Sequence, residues 1–291
     1  MRRPPSIFVQ IPAYRDSELE STLRGLYAKA EHPARLRTAV AWQRGPGDSL
    51  SADVRSLPSL ELIEIPFEES KGCNWARSLL QEHWRGEQFT LVLDSHHRFV
   101  HGWDTALESM YRNLEAAVSR RPLLTAYLPA YDPAREPGGR RKRPYKIYPL
   151  EREQGILTRL TSYPIPYWTT LSEPIPAQFL SLHFIFAEGE FNAAVPFDPG
   201  LYFFGDEVAT GLRAYLAGYD LFHPHRVVGW HCFERTSRTA HWQDHEDWRE
   251  QHQRSLDRMR RLFLDKASGG VGGRTVADYE EHAMVSLVEQ P

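Results

Sequence analysis

The first half of the chain alternates short apolar runs with amphipathic stretches. Residues 6–14 (SIFVQIPAY) are rich in β-forming side chains and predict a strand. Between Ser17 and Ala30 the apolar positions recur about every three to four residues, which predicts a helix, and Ser17 with Glu20 fits a capping box at its start. Further strands are predicted at 37–43, 60–67, 89–94 and 123–131, and helices at 74–85, with Trp75, Leu79 and Leu80 facing inward, and at 103–118. Strands separated by helices predict βαβ units and a mostly parallel sheet, whose ligands bind at the carboxyl ends of the strands.

The second half is less regular. Residues 122–199 hold 12 of the 21 prolines, and a basic run around Arg140–Arg143 lies among them with Gly138 and Gly139. We therefore predict an irregular, partly mobile insertion at 132–178, which is either a solvated loop or a lid or acceptor-contacting surface. Strands are predicted again at 180–187 and 226–233, and helices at 206–217 and 246–263. These patterns indicate a single domain at 1–267 and a loosely ordered tail at 268–291.

Composition narrows the class of protein. The 291 residues are 41% hydrophobic and 25% charged, enough to form a core, and a net charge of -3 argues against a general nucleic-acid binder. The apolar runs are too short for a transmembrane segment, and the first residues lack the apolar region of a secretory signal. With only Cys73 and Cys232, no disulfide framework is expected. The sequence thus predicts a soluble, cytoplasmic protein.

The triplet Asp94-Ser95-His96 follows the predicted strand at 89–94. A carboxylate and an imidazole two residues apart, where the chain leaves a sheet, can converge on one cation. Imidazole favours a transition metal such as Mn²⁺ over Mg²⁺. The alternative is that Asp94 caps a turn and His96 is a surface residue.

Two acids, Asp206 and Glu207, follow Gly205 at the start of a predicted helix. Acids in a first helical turn commonly stabilise the helix through its dipole. Alternatively, one of them lies beside an acceptor hydroxyl and acts by hydrogen bonding or as a base. The sequence leaves both interpretations open.

His231 lies in the apolar run Trp230-His231-Cys232-Phe233 at the end of a late strand. A histidine in such a run is usually a satisfied core residue, and the alternative is a metal ligand. The chain has no Cys-x-x-Cys pair, so we expect no structural zinc site.

A further polar group follows the first strand, with Tyr14, Arg15 and Asp16, and continues with Asn74 and Arg77 on the helix before Asp94. An arginine that faces the strand ends could hold a phosphate, or it could form a surface ion pair. The G-x-G at 45–47 has no following helix glycine, so a dinucleotide fingerprint is missing.

A set of short blocks along the chain carries a more specific signal. The blocks are 9–16 (VQIPAYRD), 42–43 (WQ), 71–77 (KGCNWAR), 93–99 (LDSHHRF) with 102–104 (GWD), 124–127 (LTAY), 197–199 (FDP), 204–207 (FGDE) with Arg213, 218–220 (GYD), and Pro224 with His231. In this order they resemble the cytoplasmic hydroxyproline-linked polypeptide N-acetylglucosaminyltransferase family, which has bacterial relatives. The resemblance covers roughly 6–265 and is weakest at 132–178. Cys73 replaces a proline of the family pattern, and Asp206 stands where the family usually has Glu.

The resemblance implies a GT-A glycosyltransferase fold, α/β with a Rossmann-like, mostly parallel central sheet flanked by helices. The Asp-Ser-His triplet is similar to the D-x-H of polypeptide N-acetylgalactosaminyltransferases, where a later histidine completes a metal site. Carried over, Asp94, His96 and His231 would bind Mn²⁺ or Mg²⁺. The remaining donor-site residues implied are Tyr14, Arg15, Asn74, Arg77 and Ser95, with Asp94 also in that site, and Asp206 and Glu207 would lie near the sugar and the acceptor.

The resemblance thus implies a metal-dependent transferase that moves a sugar, N-acetylglucosamine by family, from a UDP-sugar to an acceptor hydroxyl with retention. If Asp206 or Glu207 were instead a base opposite the leaving group, the configuration would invert. The acceptor could be a protein, a peptide, a glycan or a small molecule. Two other classes remain open on the same residues: a metal-dependent hydrolase of nucleotide-sugars or phosphoesters, and a catalytically inactive module that binds a nucleotide-sugar.

Overall fold

The computed structural model describes residues 6–235, 238–266 and 269–289. The strands are β1 Ile7–Tyr14, β2 Leu36–Arg44, β3 Leu60–Pro66, β4 Phe89–Leu93, β5 His97–Phe99, β6 Pro122–Thr125, β7 Tyr145–Glu153, β8 Ile156–Pro164, β9 Ile175–Pro176, β10 Phe184–Glu188, β11 Asp220–His223 and β12 Gly229–His231. The helices are α1 Leu19–Lys29, α2 Ala52–Arg55, α3 Cys73–Gln81, α4 Trp103–Ala117, α5 Phe191–Ala194, α6 Asp206–Leu216, α7 His241–Asp244, α8 Trp248–Leu264 and α9 Val276–Ala283. Among the described residues, no helix combines the length and the apolar character that crossing a bilayer requires.

One large sheet organises the molecule. Its eight strands run in the order β3-β2-β1-β4-β10-β6-β11-β9, and two smaller sheets pair β12 with β5 and β7 with β8. The pairs β3-β2, β2-β1, β1-β4 and β6-β11 are parallel. The expected α/β fold with a mostly parallel central sheet is therefore confirmed.

Strand β10 departs from the parallel pattern. It lies between β4 and β6 and runs antiparallel to both. Because of this direction, its first residue, Phe184, lies beside Leu93 at the carboxyl end of β4. Side chains just before β10 thus reach the edge of the sheet that the parallel strands reach with their last residues.

Apolar side chains cover both faces of the large sheet. Strands β1 and β4 lie in its middle and are almost wholly buried, as expected for parallel strands covered on both sides. One face packs on α1 and α4 through Leu23, Leu26 and Leu107, and Trp103 fixes α4 by donating its indole N–H to the carbonyl of Leu26 at 3.0 Å. The core thus holds the strand ends at a fixed spacing.

Two local predictions were wrong. The capping box does not form: α1 begins at Leu19, and the Glu20 carboxylate accepts hydrogen bonds from Ser51 N and Oγ and from Arg24 instead. Helix α3 ends at Gln81 rather than at residue 85, and of the three side chains expected to face inward only Leu80 is fully buried. Besides Ala76 and Leu80, α3 buries the polar side chains of Asn74, Arg77 and Gln81, of which Asn74 and Arg77 contact the functional site.

The segment at 132–178 is more regular than expected. It contains β7 and β8, which form an antiparallel hairpin with a bulge between Pro149 and Arg152. The hairpin buries Ile147, Ile156 and Leu160. Proline composition concealed this hairpin because the prolines fall at its ends and on its edge.

The tail from residue 268 was expected to be loose, and this is wrong for its described part. Helix α9 starts with a capping box between Thr275 and Asp278, and it buries Tyr279. Beyond it, Leu287 and Val288 are buried in the same apolar cluster as β8, α6 and α8. Burial of these side chains, worth about 1.5–3 kcal/mol each, ties the tail to the sheet edge.

Candidate functional site

Three side chains meet at the carboxyl end of β4. Asp94 directly follows β4, His96 lies two residues on, and His231 ends β12, which pairs with β5. One ligand atom from each lies within 4.8 Å of the other two. Nε2 of His231 is 3.4 Å from Oδ2 of Asp94, and Nε2 of His96 is 3.7 Å from the same oxygen. Within the described ranges this is the one group of three side chains with metal-ligating geometry.

The donor set of this triad fits a divalent transition metal. In the described part of the chain, neither Nε2 of His96 nor Nδ1 of His231 has a hydrogen-bond partner, although both atoms are buried. An unpaired buried nitrogen is costly, and a cation would satisfy the one on His96. One carboxylate and two imidazoles suit Mn²⁺ better than Mg²⁺, which prefers oxygen ligands.

Asp16 orients His96 from behind. Its Oδ2 accepts a hydrogen bond from Ser95 Oγ at 2.6 Å and lies 2.7 Å from Nδ1 of His96. A proton on Nδ1 leaves the lone pair on Nε2 to face Asp94, which is the usual arrangement of a carboxylate behind a metal-binding histidine. Burial alone would raise the pKa of Asp16. The hydrogen bond and charge of His96, together with hydrogen bonds from Ser95 and the backbone of Glu18, bring the pKa below its ordinary value, so the carboxyl stays ionised.

Arg77 joins the triad to α6. Its Nη2 donates to Oδ1 of Asp94 at 3.0 Å, and its Nη1 lies 3.7 Å from Oδ2 of Asp206. Asn74 donates to the same oxygen of Asp206 at 2.9 Å. Burial raises the pKa of Asp94, but the hydrogen bond from His231 and the charge of Arg77 bring it well below its ordinary value. Asp94 is thus ionised and ready to bind a cation.

The two acids of α6 have different environments. Burial raises the pKa of Asp206 to about 7, against the effect of Arg77. Glu207 accepts hydrogen bonds at Oε1 from Ser181 Oγ and Leu182 N, both at 2.9 Å, and at Oε2 from the hydroxyl of Tyr127. Burial raises the pKa of Glu207 as well. Both carboxylates are therefore held in place by donors from the protein.

Gly205 allows α6 to start at this position. Its φ of 89° is left-handed, and a Cβ there would overlap the side chain of Met259 on α8. A glycine meets both demands without strain. The tight approach of α8 thereby fixes where Asp206 enters the site.

A layer of buried imidazoles surrounds the triad. The ring of His183 stacks on His231 with centroids 4.1 Å apart, and His97 lies 5.0 Å from His231. Burial lowers the pKa of His97, His183 and His231 well below the ordinary value, so these rings are neutral near pH 7. Neutral imidazoles leave the site able to accept a cation.

Two cavities meet at this cluster, and both are lined by Asp94, Phe203, Arg235 and Arg238. The aromatic cavity extends toward β1 and α7, and its flat surfaces are those of Tyr14, Tyr202, His241 and Trp242. The carboxylate cavity extends toward α6 and β8, and its polar lining includes Arg77, Tyr127, Arg159, His183, Asp206 and Glu207. The triad lies where a ligand that fills both would pass.

Most of the predicted site residues come together, but not all face a cavity. Asn74 and Arg77 lie between the triad and Asp206. Tyr14 lines the aromatic cavity and donates to Oδ2 of Asp244 at 2.7 Å. Arg15 also binds Asp244, at 2.8 Å, and among the described residues it does not line either cavity.

Ser95 lines the aromatic cavity, while its hydroxyl binds Asp16 behind the triad. The alternative that His96 is a surface residue is wrong, since it is 5% exposed. The alternative that Arg77 forms a surface ion pair is also wrong, since Arg77 is 4% exposed. What these residues do in a reaction stays a prediction.

Sequence reasoning missed several residues of the site. Asp16 was named in the polar group after the first strand but received no role, and Tyr127 and His183 were not among the candidate site residues. His241 in the aromatic cavity was also missed. The many histidines between residues 223 and 252 could have indicated it, since His241 and His245 stack with centroids 3.9 Å apart near Tyr14. For His183 and Ser181 no local pattern existed, because their partners are brought close only by the antiparallel direction of β10.

Comparison with known proteins agrees with this geometry. The family model described as Glycosyltransferase (GlcNAc) matches residues 6–60 and 51–287. No curated protein matches the sequence. A structure of GalNAc-T7 with UDP, GalNAc and Mn²⁺ is similar, with a TM-score of 0.62 and 13% identity over 98% of this chain, which spans 55% of that one.

Two other solved structures are similar at the same level. TarS residues 1–349 from S. aureus, in complex with UDP-GlcNAc, has a TM-score of 0.59 and 13% identity over 95% of this chain and 70% of its own. The mannosyltransferase PcManGT from Pyrobaculum calidifontis, with GDP-Man and Mn²⁺, has a TM-score of 0.54 and 14% identity over 98% of this chain and 70% of its own. The shared fold is GT-A, and the match of the family model over nearly the whole described chain shows that this protein belongs to the GlcNAc glycosyltransferase family.

Proposed function

We propose that this protein is a metal-dependent glycosyltransferase that moves N-acetylglucosamine from UDP-GlcNAc to an acceptor hydroxyl. The observation that carries the proposal is the position of the triad Asp94, His96 and His231 at the junction of the two cavities. A diphosphate bound at the junction would place a nucleoside on one side and a sugar on the other. Family membership and the ligands of the similar structures support the same assignment.

The aromatic cavity suits a pyrimidine nucleoside. Tyr14 and His241 lie with ring centroids 5.0 Å apart, and Tyr202 lies 5.4 Å from His241. A planar base can stack on the face of one of these rings that lines the cavity. The hydroxyl of Tyr202 is 2.7 Å from Nδ1 of His241, which holds both rings in place before the base arrives.

The carboxylate cavity suits the transferred sugar. Its polar groups include Asp206 and Glu207 of α6 and Tyr127, which lies two residues after β6, and each of these is already positioned by a neighbour in the protein. A hexose presents several hydroxyls that could bind to these oxygens. Discrimination among hexoses by single contacts is worth roughly 1–3 kcal/mol, so N-acetylglucosamine is the first donor to test rather than the only one.

The difficult step is the departure of UDP from the anomeric carbon. A bound divalent ion would act as a Lewis acid that neutralises the charge on the leaving diphosphate. Asp94, His96 and His231 would hold that ion, with Asp16 fixing the imidazole of His96. Arg77 places a second positive charge beside Asp94, where it would help to stabilise the negative charge that develops on the leaving diphosphate.

We propose that the configuration at the anomeric carbon is retained. An inverting reaction needs a free base opposite the leaving group, but Oε1 and Oε2 of Glu207 both accept hydrogen bonds from protein donors. Asp206 is likewise held, through Asn74 and the backbone N–H of Glu207. These carboxylates suit the orientation of sugar and acceptor hydroxyls better than proton abstraction from the rear.

The acceptor would enter through the carboxylate cavity with its hydroxyl first. A hydroxylated protein, a peptide, a glycan and a small molecule each offer such a group. The sequence resemblance makes the hydroxyproline side chain of a polypeptide the first candidate among them.

Donor binding and turnover test the proposal. UDP binding would be measured by calorimetry and UDP release would be measured for a panel of UDP-sugars, each with Mn²⁺, Mg²⁺ or EDTA. We expect Mn²⁺-dependent UDP binding and slow hydrolysis of UDP-GlcNAc. In Asp94→Asn and His96→Gln, both should fall by a factor of about 100, since each change removes one ligand from the ion. His101→Gln, at an exposed histidine on the same segment, is the control and should behave as wild type.

Other outcomes would contradict the proposal in distinguishable ways. Rapid UDP release that no acceptor accelerates would indicate a hydrolase. Tight UDP binding without any turnover would indicate an inactive binding module. Undiminished metal-dependent turnover in Asp94→Asn would remove the triad from the site, and a β-linked product from the α-linked donor, seen by NMR, would exclude retention.

A further inference from the structure

The hairpin of β7 and β8 has an aromatic and polar outer face. The register pairs Lys146 with Tyr163 and Tyr148 with Thr161, and paired residues of an antiparallel ladder lie on the same face. Tyr163 is 61% exposed and Tyr148 is 39% exposed, whereas Ile147 on the opposite face is buried. The outer face therefore presents an open row of side chains rather than a part of the core.

This row leads into the carboxylate cavity. Arg159 lies on the same face of β8, two residues before Thr161 in the sequence. It lines the cavity together with Thr158 and Leu160. Its guanidinium lies 4.4 Å from the ring centroid of Phe204, which lines the same cavity. The distance along β8 from Tyr163 to Arg159 is about 13 Å, the length of four extended residues.

Positive charge precedes the row. Arg141, Lys142 and Arg143 are exposed and lie directly before β7. This segment is fixed on β12: the guanidinium of Arg140 lies 4.5 Å from the ring centroid of Trp230, and the indole of Trp230 donates to the carbonyl of Arg141 at 2.7 Å. The basic segment is therefore held against the strand that carries His231.

We propose that this surface binds an acidic, extended polypeptide segment of the acceptor and presents its hydroxyl to the carboxylate cavity. We name it the acceptor strip and define it by Arg141, Lys142, Arg143, Lys146, Tyr148, Thr161 and Tyr163. The inference rests on the proposed function, because it assigns the class of acceptor for that same site. Its cations complement carboxylates, and its continuity with the cavity gives the bound segment a path to the sugar.

The arrangement of the rings favours a polypeptide over a glycan. Nζ of Lys146 lies over the ring of Tyr148, 5.8 Å from its centroid, and Tyr163 meets the same ring edge to face with centroids also 5.8 Å apart. These contacts occupy the ring surface on which a sugar would stack. The cationic heads and hydroxyls of these exposed residues can bind carboxylate side chains along an extended chain.

Direct binding to the 291-residue protein tests the acceptor strip. The probes are a fluorescein-labelled peptide of glutamate and serine and its lysine counterpart, measured by fluorescence anisotropy. We expect the acidic peptide to bind at least about tenfold more tightly than the basic one. The double variant Lys142→Glu/Lys146→Glu should weaken acidic-peptide binding by about tenfold or more, because two attractive charges become repulsive. Arg120→Glu is the control: this exposed arginine precedes β6 at the opposite end of the sheet, and it should change the affinity less than about twofold.

Three results would overturn the assignment. These are equal binding of the two peptides, unchanged affinity in the double variant, and tighter binding of an acidic oligosaccharide such as a polygalacturonate fragment. UDP release from UDP-GlcNAc with Mn²⁺ and no peptide is measured on the same preparations. If the wild-type protein releases no UDP, the result counts against the proposed function. If release is normal and the peptide affinity of the double variant is unaltered, the result counts against the acceptor strip alone.

Discussion

The imidazole of His183 lies parallel to that of His231, with ring centroids 4.1 Å apart and an angle of 16° between the planes. His183 is fixed on its own side. Its Nε2 accepts the backbone N–H of Leu128 at 3.1 Å, and its Nδ1 is 3.0 Å from Ser181 Oγ, which donates to Glu207. A side chain outside the triad thus sets the orientation of one of the triad's rings and connects it to α6.

We expect His183→Ala to weaken Mn²⁺ binding by about tenfold, the usual lower limit for loss of a residue that supports a metal ligand. His183→Phe keeps a stacked ring and should retain more of the affinity. Titration of Mn²⁺ followed by electron paramagnetic resonance measures this without any turnover. If the alanine variant is folded and binds Mn²⁺ as wild type does, the ring does not support His231.

Asp16 is expected to act on the metal through His96. In Asp16→Asn the charge behind the imidazole disappears while the shape is kept, so the basicity of Nε2 falls. Mn²⁺ affinity measured by calorimetry should drop by about tenfold. Asp53→Asn, at an exposed carboxylate on α2 paired with Arg24, should leave the affinity unchanged. Equal losses in both variants would contradict a specific role for Asp16.

Arg77 is expected to matter for folding as well as for the site. Its side chain is 5% exposed and lies between two carboxylates, so Arg77→Met leaves Asp94 and Asp206 buried without their cation. The free energy of unfolding should fall by about 3–5 kcal/mol, as for other broken buried pairs. Denaturant unfolding measures this, and added Mn²⁺ should restore part of the loss because it would neutralise Asp94. Arg254→Met, at an exposed pair on α8, should have a much smaller effect.

Asp206 is expected to make stability depend on pH. Burial raises its pKa from the ordinary 3.8 to about 7 in the folded protein, so the folded state binds more protons than the unfolded state between these values. Its contribution is complete below pH 3.8 and is lost as the pH rises through 7. The difference in unfolding free energy between pH 5 and pH 7.5 should be smaller in Asp206→Asn than in wild type, by up to about 2.5 kcal/mol. Identical pH profiles for the two proteins would show that Asp206 titrates normally.

Much of the fold was predictable because it depends on local patterns. Strands β1, β2 and β4 bury both faces over most of their length, so their largely apolar runs identified them, and the intervening helices showed their stripes. Asp94 and His96 could be read as a pair from their spacing. His231 could be joined to them only through the ordered blocks of the family resemblance, since the local run around it looks like core.

The remaining features depend on contacts between distant segments. The hairpin at 145–164 carries Pro149 on its edge and Pro164 at its end, so proline content suggested a loop where the residue alternation was in fact that of a strand pair. The tail begins with four glycines among six residues, and the burial of its later apolar residues depends on a cluster that α6, α8 and β8 create together. Trp75 and Leu79 were expected inside on hydrophobicity, but they are only partly buried against an apolar cluster, while the polar Asn74 and Arg77 of α3 are buried at the site.

The place of β10 in the sheet bears on how the protein assembles during synthesis. Because β10 alone joins β4 to β6 in the large sheet, the half formed by β1 to β4 and the half that contains β6 each keep an open edge until residue 188 has emerged. Pairings this distant along the chain form slowly. The histidine layer, and with it the intact cation site, would therefore be among the last parts of the molecule to form, after most of the chain has left the ribosome.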